Sequence, residues 1–290
     1  MRFRLFPAYS CALLALSIGC AAQAEPRGLF RQNNPALDEV SGIAIVRSQP
    51  SLFWMHNDSG DKARVFAVNK QGKIALTVNL VGANAFDWED MSAQKDWVYM
   101  GDIGDNFGFR ASVQVYRFKS PTISASAQNG VLNLKAGQWQ KTTLIYPDGP
   151  HNCESLAATP DGRLLVVTKE MSGEGGFYVW NKPWKGDATI TLTKIGKWTF
   201  GPADKREGLT TGADFSPDGR KLVVTTYTDL YEFPLKRSFD FSSIQFTPQT
   251  QPLPEQKQCE AVCYTLDGRS IYSTSEGNGS LMWLLPSKLK

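Results

Sequence analysis

The sequence predicts an all-β protein, a β-propeller of five four-stranded blades forming one domain over residues 25–290. Three observations carry this expectation: one hairpin recurs along the chain, its copies are nearly evenly spaced, and the last copy is a strand short. The composition agrees. With 290 residues, 42% hydrophobic and 20% charged, the chain has apolar mass for a substantial core, which rules out disorder and collagen-like order.

The leader comes first. Arg2 and Arg4 precede an apolar run through Ile18, and Ala22-Gln23-Ala24 has the small-x-small pattern of a signal-peptidase site. Residues 1–24 are therefore expected to be a signal peptide, and the protein to be periplasmic or secreted. The run is shorter than the roughly 20 residues that span a bilayer, and no later segment resembles a membrane span. A lipid anchor at Cys20 is the second reading, but the leucine such a site wants, Leu16, stands one place too far upstream. The formal charge is +3, of which Arg2 and Arg4 supply two. What remains is nearly neutral and gives no electrostatic footprint for nucleic acid or anionic lipid. A monomer is expected.

The repeats follow. Glu154–Glu170, Thr211–Tyr227 and Glu260–Glu276 each read as a strand, a turn at Asp-Gly-Arg and a β-branched return strand. Asp-Gly supplies the positive φ that such a hairpin turn needs. Two looser copies precede them, Glu39 through Asp58 and Glu89 through Asp102. A third short strand follows each return strand, and in most units a more polar fourth, such as Ala188–Thr193. Units starting at Glu39, Glu89, Glu154, Glu207 and Glu260 are 50, 65, 53 and 53 residues apart. The last unit ends without a fourth strand, and the segment around Gly28–Arg31 is left over to complete it and close the ring. Six blades, with a degenerate one around Ile123–Tyr146, are the runner-up. The eight tryptophans are expected to pack blade against blade.

Cys153, Cys259 and Cys263 remain after the leader. Cys259 and Cys263 lie too far apart on one strand to bridge each other. A Cys153–Cys259 bridge would have to cross non-neighbouring blades, so buried apolar thiols are the expected state.

Propeller geometry then gathers the acids. The inner strand of each blade starts on the face that also carries the loop between the second and third strands, opposite the Asp-Gly-Arg hairpins. That face collects Glu39 with Asp58 and Asp61, Glu89 (flanked by Asp87 and Asp90) with Asp102 and Asp105, Glu154 with Glu170, and Glu260 with Glu276. The fourth blade places Thr211 and Tyr227 at the acid positions, with Glu207 upstream. In Asp58-Ser-Gly-Asp61 and Asp102-Ile-Gly-Asp105 the glycine is expected to let both carboxylates point to one spot. Crowded carboxylates raise one another's pKa unless a positive charge sits among them. A hard cation such as Ca²⁺, which takes six to eight oxygens, answers that need. The only histidines, His56 and His151, fall on the same face, too few for a zinc site but candidates for acid–base roles. Asn106, Arg110, Lys169, Arg206, Glu207, Thr211 and Tyr227 complete the candidate ligand-binding set. The same acids also suit a structural role, accepting hydrogen bonds from backbone amides and nearby Arg and Lys.

At Asn57-Asp-Ser-Gly-Asp61, Asp87-Trp-Glu-Asp90 and Gly101-Asp-Ile-Gly-Asp-Asn106, the chain resembles exported bacterial β-propeller proteins, similar in style to the esterase-like phytase and SdiA-regulated propellers. The resemblance implies a propeller and Ca²⁺, and no particular reaction. The sequence therefore leads to a propeller that binds a ligand or protein partner on an acidic, Ca²⁺-assisted face. The alternative is a metal-dependent hydrolase of phosphoesterase or lactonase type resembling the gluconolactonase propellers, with Glu89, Glu154 and Glu260 as ligands and His56 or His151 as acid or base.

Overall fold

The computed structural model describes residues 25–124, 126–203 and 205–289, so the leader and Cys20 lie outside the described residues. It is a ring of five antiparallel blades. In chain order, β1 (Arg27–Gln32) precedes blade 1, which is β2 (Val40–Ile45), β3 (Leu52–Asn57), β4 (Arg64–Asn69) and β5 (Ile74–Leu80). Blade 2 holds β6 (Trp88–Gln94), β7 (Trp97–Asp102) and β8 (Val113–Lys119); after β9 (Gly130–Leu134) it gains β10 (Trp139–Ile145). Blade 3 is β11 (Cys153–Ala158), β12 (Leu164–Thr168) and β13 (Glu174–Trp180), completed after β14 (Thr189–Thr191) by β15 (Thr193–Thr199). Blade 4 is β16 (Thr210–Phe215), β17 (Lys221–Thr226), β18 (Asp229–Pro234) and β19 (Gln249–Pro252). Blade 5 is β20 (Cys259–Tyr264), β21 (Ser270–Ser275) and β22 (Ser280–Pro286), and β1 pairs with β22 as its outer strand. Closing the ring with its own first strand satisfies an edge that would otherwise template pairing with another chain. No helix among the described residues is long and apolar enough to cross a membrane.

Five blades are as expected; the runner-up sixth blade and one strand assignment do not hold. The stretch Ile123–Tyr146 makes no sixth blade. Ile123 is buried between blades 1 and 2 and is clasped by the Gln49 amide, which donates to its carbonyl (2.7 Å) and accepts from its amide (3.1 Å). From that pin the chain runs along the rim, and β9 becomes a fifth, parallel strand on the edge of blade 1 before β10 completes blade 2. Likewise Ala188–Thr193 is not the fourth strand of blade 3. β14 pairs parallel with β10 of blade 2, and Leu192, buried between blades 2 and 3, is the pivot from which β15 enters blade 3.

Each inner strand is buried at every position, because both faces of a blade meet a neighbour. Five apolar clusters fill the five blade interfaces, with Trp54 and Trp88 between blades 1 and 2 and Trp180 between blades 2 and 3. Cys153, Cys259 and Cys263 are buried and free.

The Asp-Gly-Arg turns lie on the far face as expected. Gly162, Gly219 and Gly268 have φ of +84°, +67° and +65°, the left-handed conformation that a side chain resists. Each turn is clasped by a hydroxyl donating to its aspartate: Thr159 to Asp161, Ser216 to Asp218 and Thr265 to Asp267, at 2.5 to 2.6 Å.

Candidate functional site

All five inner strands carry a β-bulge at the same place, one residue after the strand begins. The register aligns the bulged residues as Ser41, Glu89, Glu154, Thr211 and Glu260. Across from them, just past the end of each second strand, stand Asp58, Ile103, Lys169, Tyr227 and Glu276. A bulge bends the strand and re-aims its side chain, and here it does so at the channel mouth five times over. Two of these residues tie one blade to the next: the Ser41 hydroxyl donates to the Glu89 carbonyl, and the Thr211 hydroxyl to the Cys259 carbonyl at 2.7 Å.

This register corrects the sequence alignment at three positions. Glu39 is not the blade 1 counterpart of Glu89; Ser41 is, and Glu39 lies exposed before β2. Asp102 and Glu170 are each displaced by one residue from the ring position, which Ile103 and Lys169 hold. Ser41-Gly42-Ile43 aligned on Thr211-Gly212-Ala213 was the available signal, overshadowed by the repeated Glu.

Between blades 1 and 2 the ring draws three carboxylates together. Oxygens of Asp58, Asp87 and Glu89 all lie within 4.8 Å of one another. Glycine makes this approach possible, since a Cβ on Gly104 would overlap both Glu89 Oε1 and Asp87 Oδ2. Among the described residues, the Ser59 amide, donating to Asp58, is the one hydrogen-bond donor to these three side chains. Glu89 is only 3% exposed, and its carboxylate has no hydrogen-bond donor among the described residues. Burial, then the negative charge of Glu154, pushes its pKa well up; burial and Asp58 push Asp87 to about 6, and burial raises Asp58. Crowding of this kind favours the protonated form of the carboxylates or a cation among them.

Blades 3 and 4 answer the same crowding with a lysine. Lys169 Nζ donates to Glu154 and, at 2.7 Å, to the Tyr227 hydroxyl. Burial works against its charge, but Glu154, Tyr227 and Glu260 hold it protonated and raise its pKa. Glu260, hydrogen-bonded by Gln258 at 3.0 Å, is pushed up to about 8 by burial and by Glu154. Glu276 faces Lys257 at 3.6 Å.

Three of the four aspartates in the two Asp-x-Gly-Asp loops are not part of the convergence. Asp61 pairs with Arg64 at 2.8 Å and accepts from Asn57. Asp102 pairs with Arg110 at 2.8 Å and accepts from the Asp87 amide. Asp105 accepts from the amides of Phe109 (2.9 Å) and Arg110 (2.8 Å). Arg110 also donates to the Gly104 carbonyl, so its role is to brace this loop. The glycines thus close turns without aiming both carboxylates at one point.

Neither histidine reaches the carboxylate trio. His56 is fully buried, with Nδ1 on the Asn57 carbonyl and its ring edge-on to Trp88, and burial lowers its pKa. His151 stands at the rim, Nδ1 on Glu170 at 2.8 Å and Nε2 on Asp148 at 3.1 Å, with the Tyr178 hydroxyl at 3.0 Å. Asp148 and Tyr178 escaped the sequence reading because neither lies at a repeat position. Asn106 is an exposed loop residue bonded by Asn152, and Glu207 is exposed in the short 3₁₀ turn Arg206–Gly208. Arg206 lies over the Tyr227 ring, 4.6 Å from its centroid.

No protein-family model matches the chain, and no curated protein matches its sequence. Among solved structures, the fold is similar to the PQQ-bound form of aldose sugar dehydrogenase from Streptomyces coelicolor. The two share 11% sequence identity with a TM-score of 0.49, over 91% of this chain and 98% of that one.

Proposed function

We propose that this protein is a binding propeller whose channel-mouth face holds a hard divalent cation, Ca²⁺ by the chemistry of its donors, and presents it to a ligand or partner. The supporting observation is the meeting of Asp58, Asp87 and Glu89 within 4.8 Å, served by a single backbone donor. Three carboxylates supply part of the six to eight oxygens that Ca²⁺ takes, leaving positions for water and for oxygens of the ligand. The cation would offset the mutual repulsion that raises these groups. The leader-like segment supports a periplasmic or extracellular setting for this binding.

Binding is favoured over metal-dependent hydrolysis by the positions of the histidines. His56 is sealed between blades and His151 is engaged at the rim with Asp148 and Glu170, so neither stands ready as general acid or base at the trio.

Calorimetric titration of EDTA-stripped protein with CaCl₂ and MgCl₂, alongside melting curves, tests the proposal. We expect Ca²⁺ to bind with one site and raise the melting temperature, and Asp58→Asn or Glu89→Gln to abolish the response. Melting indifferent to both EDTA and Ca²⁺, with no metal found by elemental analysis, would end it.

A further inference from the structure

On the face that carries the carboxylate trio, the loops of blades 2, 3 and 4 line a cavity of about 500 Å³. We infer that this cavity receives an oxyanion group, phosphate or carboxylate, of a small ligand, held between Lys169 and Arg206 across the face of Tyr227. The inference rests on the reading of this face as a ligand-binding one and names the chemistry of the ligand.

The argument is electrostatic and steric. Lys169 Nζ lies 4.8 Å from the centroid of the Tyr227 ring and the Arg206 guanidinium 4.6 Å, so one aromatic ring draws two cations to the same cavity wall. Both side chains line the cavity, so an anion entering it meets two cationic donor groups. Lys169 spends two of its three donors on Glu154 and Tyr227 and keeps one. Arg206 is exposed, has no carboxylate partner among the described residues, and offers the fork that matches an oxyanion. The acids in the same wall are already committed. Asp105 accepts two backbone amides on its two oxygens, and Glu170 accepts from His151. Met171 and Leu209 supply an apolar border, which suits the carbon skeleton of a small organic acid or phosphate ester.

A ligand reaching both this cavity and the trio would present its anionic end to Lys169 and Arg206 and further oxygens to the cation.

Titration of the metal-stripped protein with inorganic phosphate and, separately, with succinate tests this, the two probes separating a phosphate from a carboxylate ligand. Arg206→Gln alters an exposed side chain and should leave folding intact; the paired variant Glu154→Gln/Lys169→Gln removes both charges of the buried pair together. We expect at least one probe to bind the wild type, both variants to bind it ten-fold or more weakly, and Arg206→Lys to recover part of the loss. Failure of both probes to bind, or binding unchanged in Arg206→Gln or in the paired variant (an adventitious ion only), overturns the inference. Because no Ca²⁺ is present, this outcome is independent of the metal titration: loss of the Ca²⁺ response leaves the oxyanion result standing, and the reverse.

Discussion

The carboxylate of Asp90, on the inner strand of blade 2, accepts a hydrogen bond from the backbone amide of Ala213, on the inner strand of blade 4, at 2.9 Å. The same oxygen accepts from the Leu156 amide of blade 3 at 2.7 Å, and the other oxygen from Met91. One buried side chain therefore bonds three blades where their inner strands converge. Ser92 and Asp214 repeat the device on a smaller scale, accepting from the amides of Ala158 and Tyr264 in the next blade.

Removing that side chain should loosen the whole ring. Asp90→Ala orphans two buried inter-blade amides, and at one to three kcal/mol for each unsatisfied group the loss is about 4 kcal/mol. Urea unfolding measures it, and Asp90→Asn, which keeps an acceptor, should lose less. Equal losses for the two variants would show that the amides are satisfied in another way.

Asp214 gives a pH dependence of definite sign. Burial raises its pKa from 3.8 to about 6, only partly offset by Arg47. Between those values the folded protein binds more protons than the unfolded chain, so this group's contribution to stability falls as pH rises, by about 3 kcal/mol in all, and is constant above pH 6. Asp214→Asn keeps an acceptor for the Tyr264 amide and loses the titration. The difference in unfolding free energy between variant and wild type should shift in the variant's favour from pH 4 to pH 6 and then level off. A flat difference would refute the assignment.

Gly104→Ala separates folding from metal binding. The three atoms nearest an added methyl are Glu89 Oε1, Asp87 Oδ2 and Asp87 Cγ, so it is these two side chains, members of the trio, that must shift. Melting without metal should change little, while Ca²⁺ affinity drops at least ten-fold, about 1.4 kcal/mol. Calorimetry on the variant decides it.

Asp61 and Asp58 should part company. Asp61→Asn breaks a partly exposed bridge to Arg64, worth about 0.5 kcal/mol, and leaves the Ca²⁺ response intact. Asp58→Asn removes a member of the trio and should abolish it. Loss of the response in both variants would place Asp61 among the ligands.

Much of the fold was written in the sequence. The number of blades, the ring closure by the segment near Gly28, and the far-face position of the Asp-Gly-Arg turns all follow from local chemistry, because a hairpin and its turn are specified within about twenty residues. The gathering of acids on one face was equally legible, since strand polarity alone dictates it.

Three-dimensional packing decided the rest. Whether Ser41 or Glu39 faces the channel depends on a bulge, which shifts a side chain without altering the sequence pattern. That Asp58 and Glu89 meet while Asp61 and Asp105 turn to Arg64 and to backbone amides depends on which donors the neighbouring loops bring within reach. The rim strands β9 and β14 pair outside their own repeats because Ile123 and Leu192 find apolar pockets between blades. A sequence fixes which bonds a residue is able to make; the ring closing around it selects which partners arrive, and that selection drew these carboxylates together.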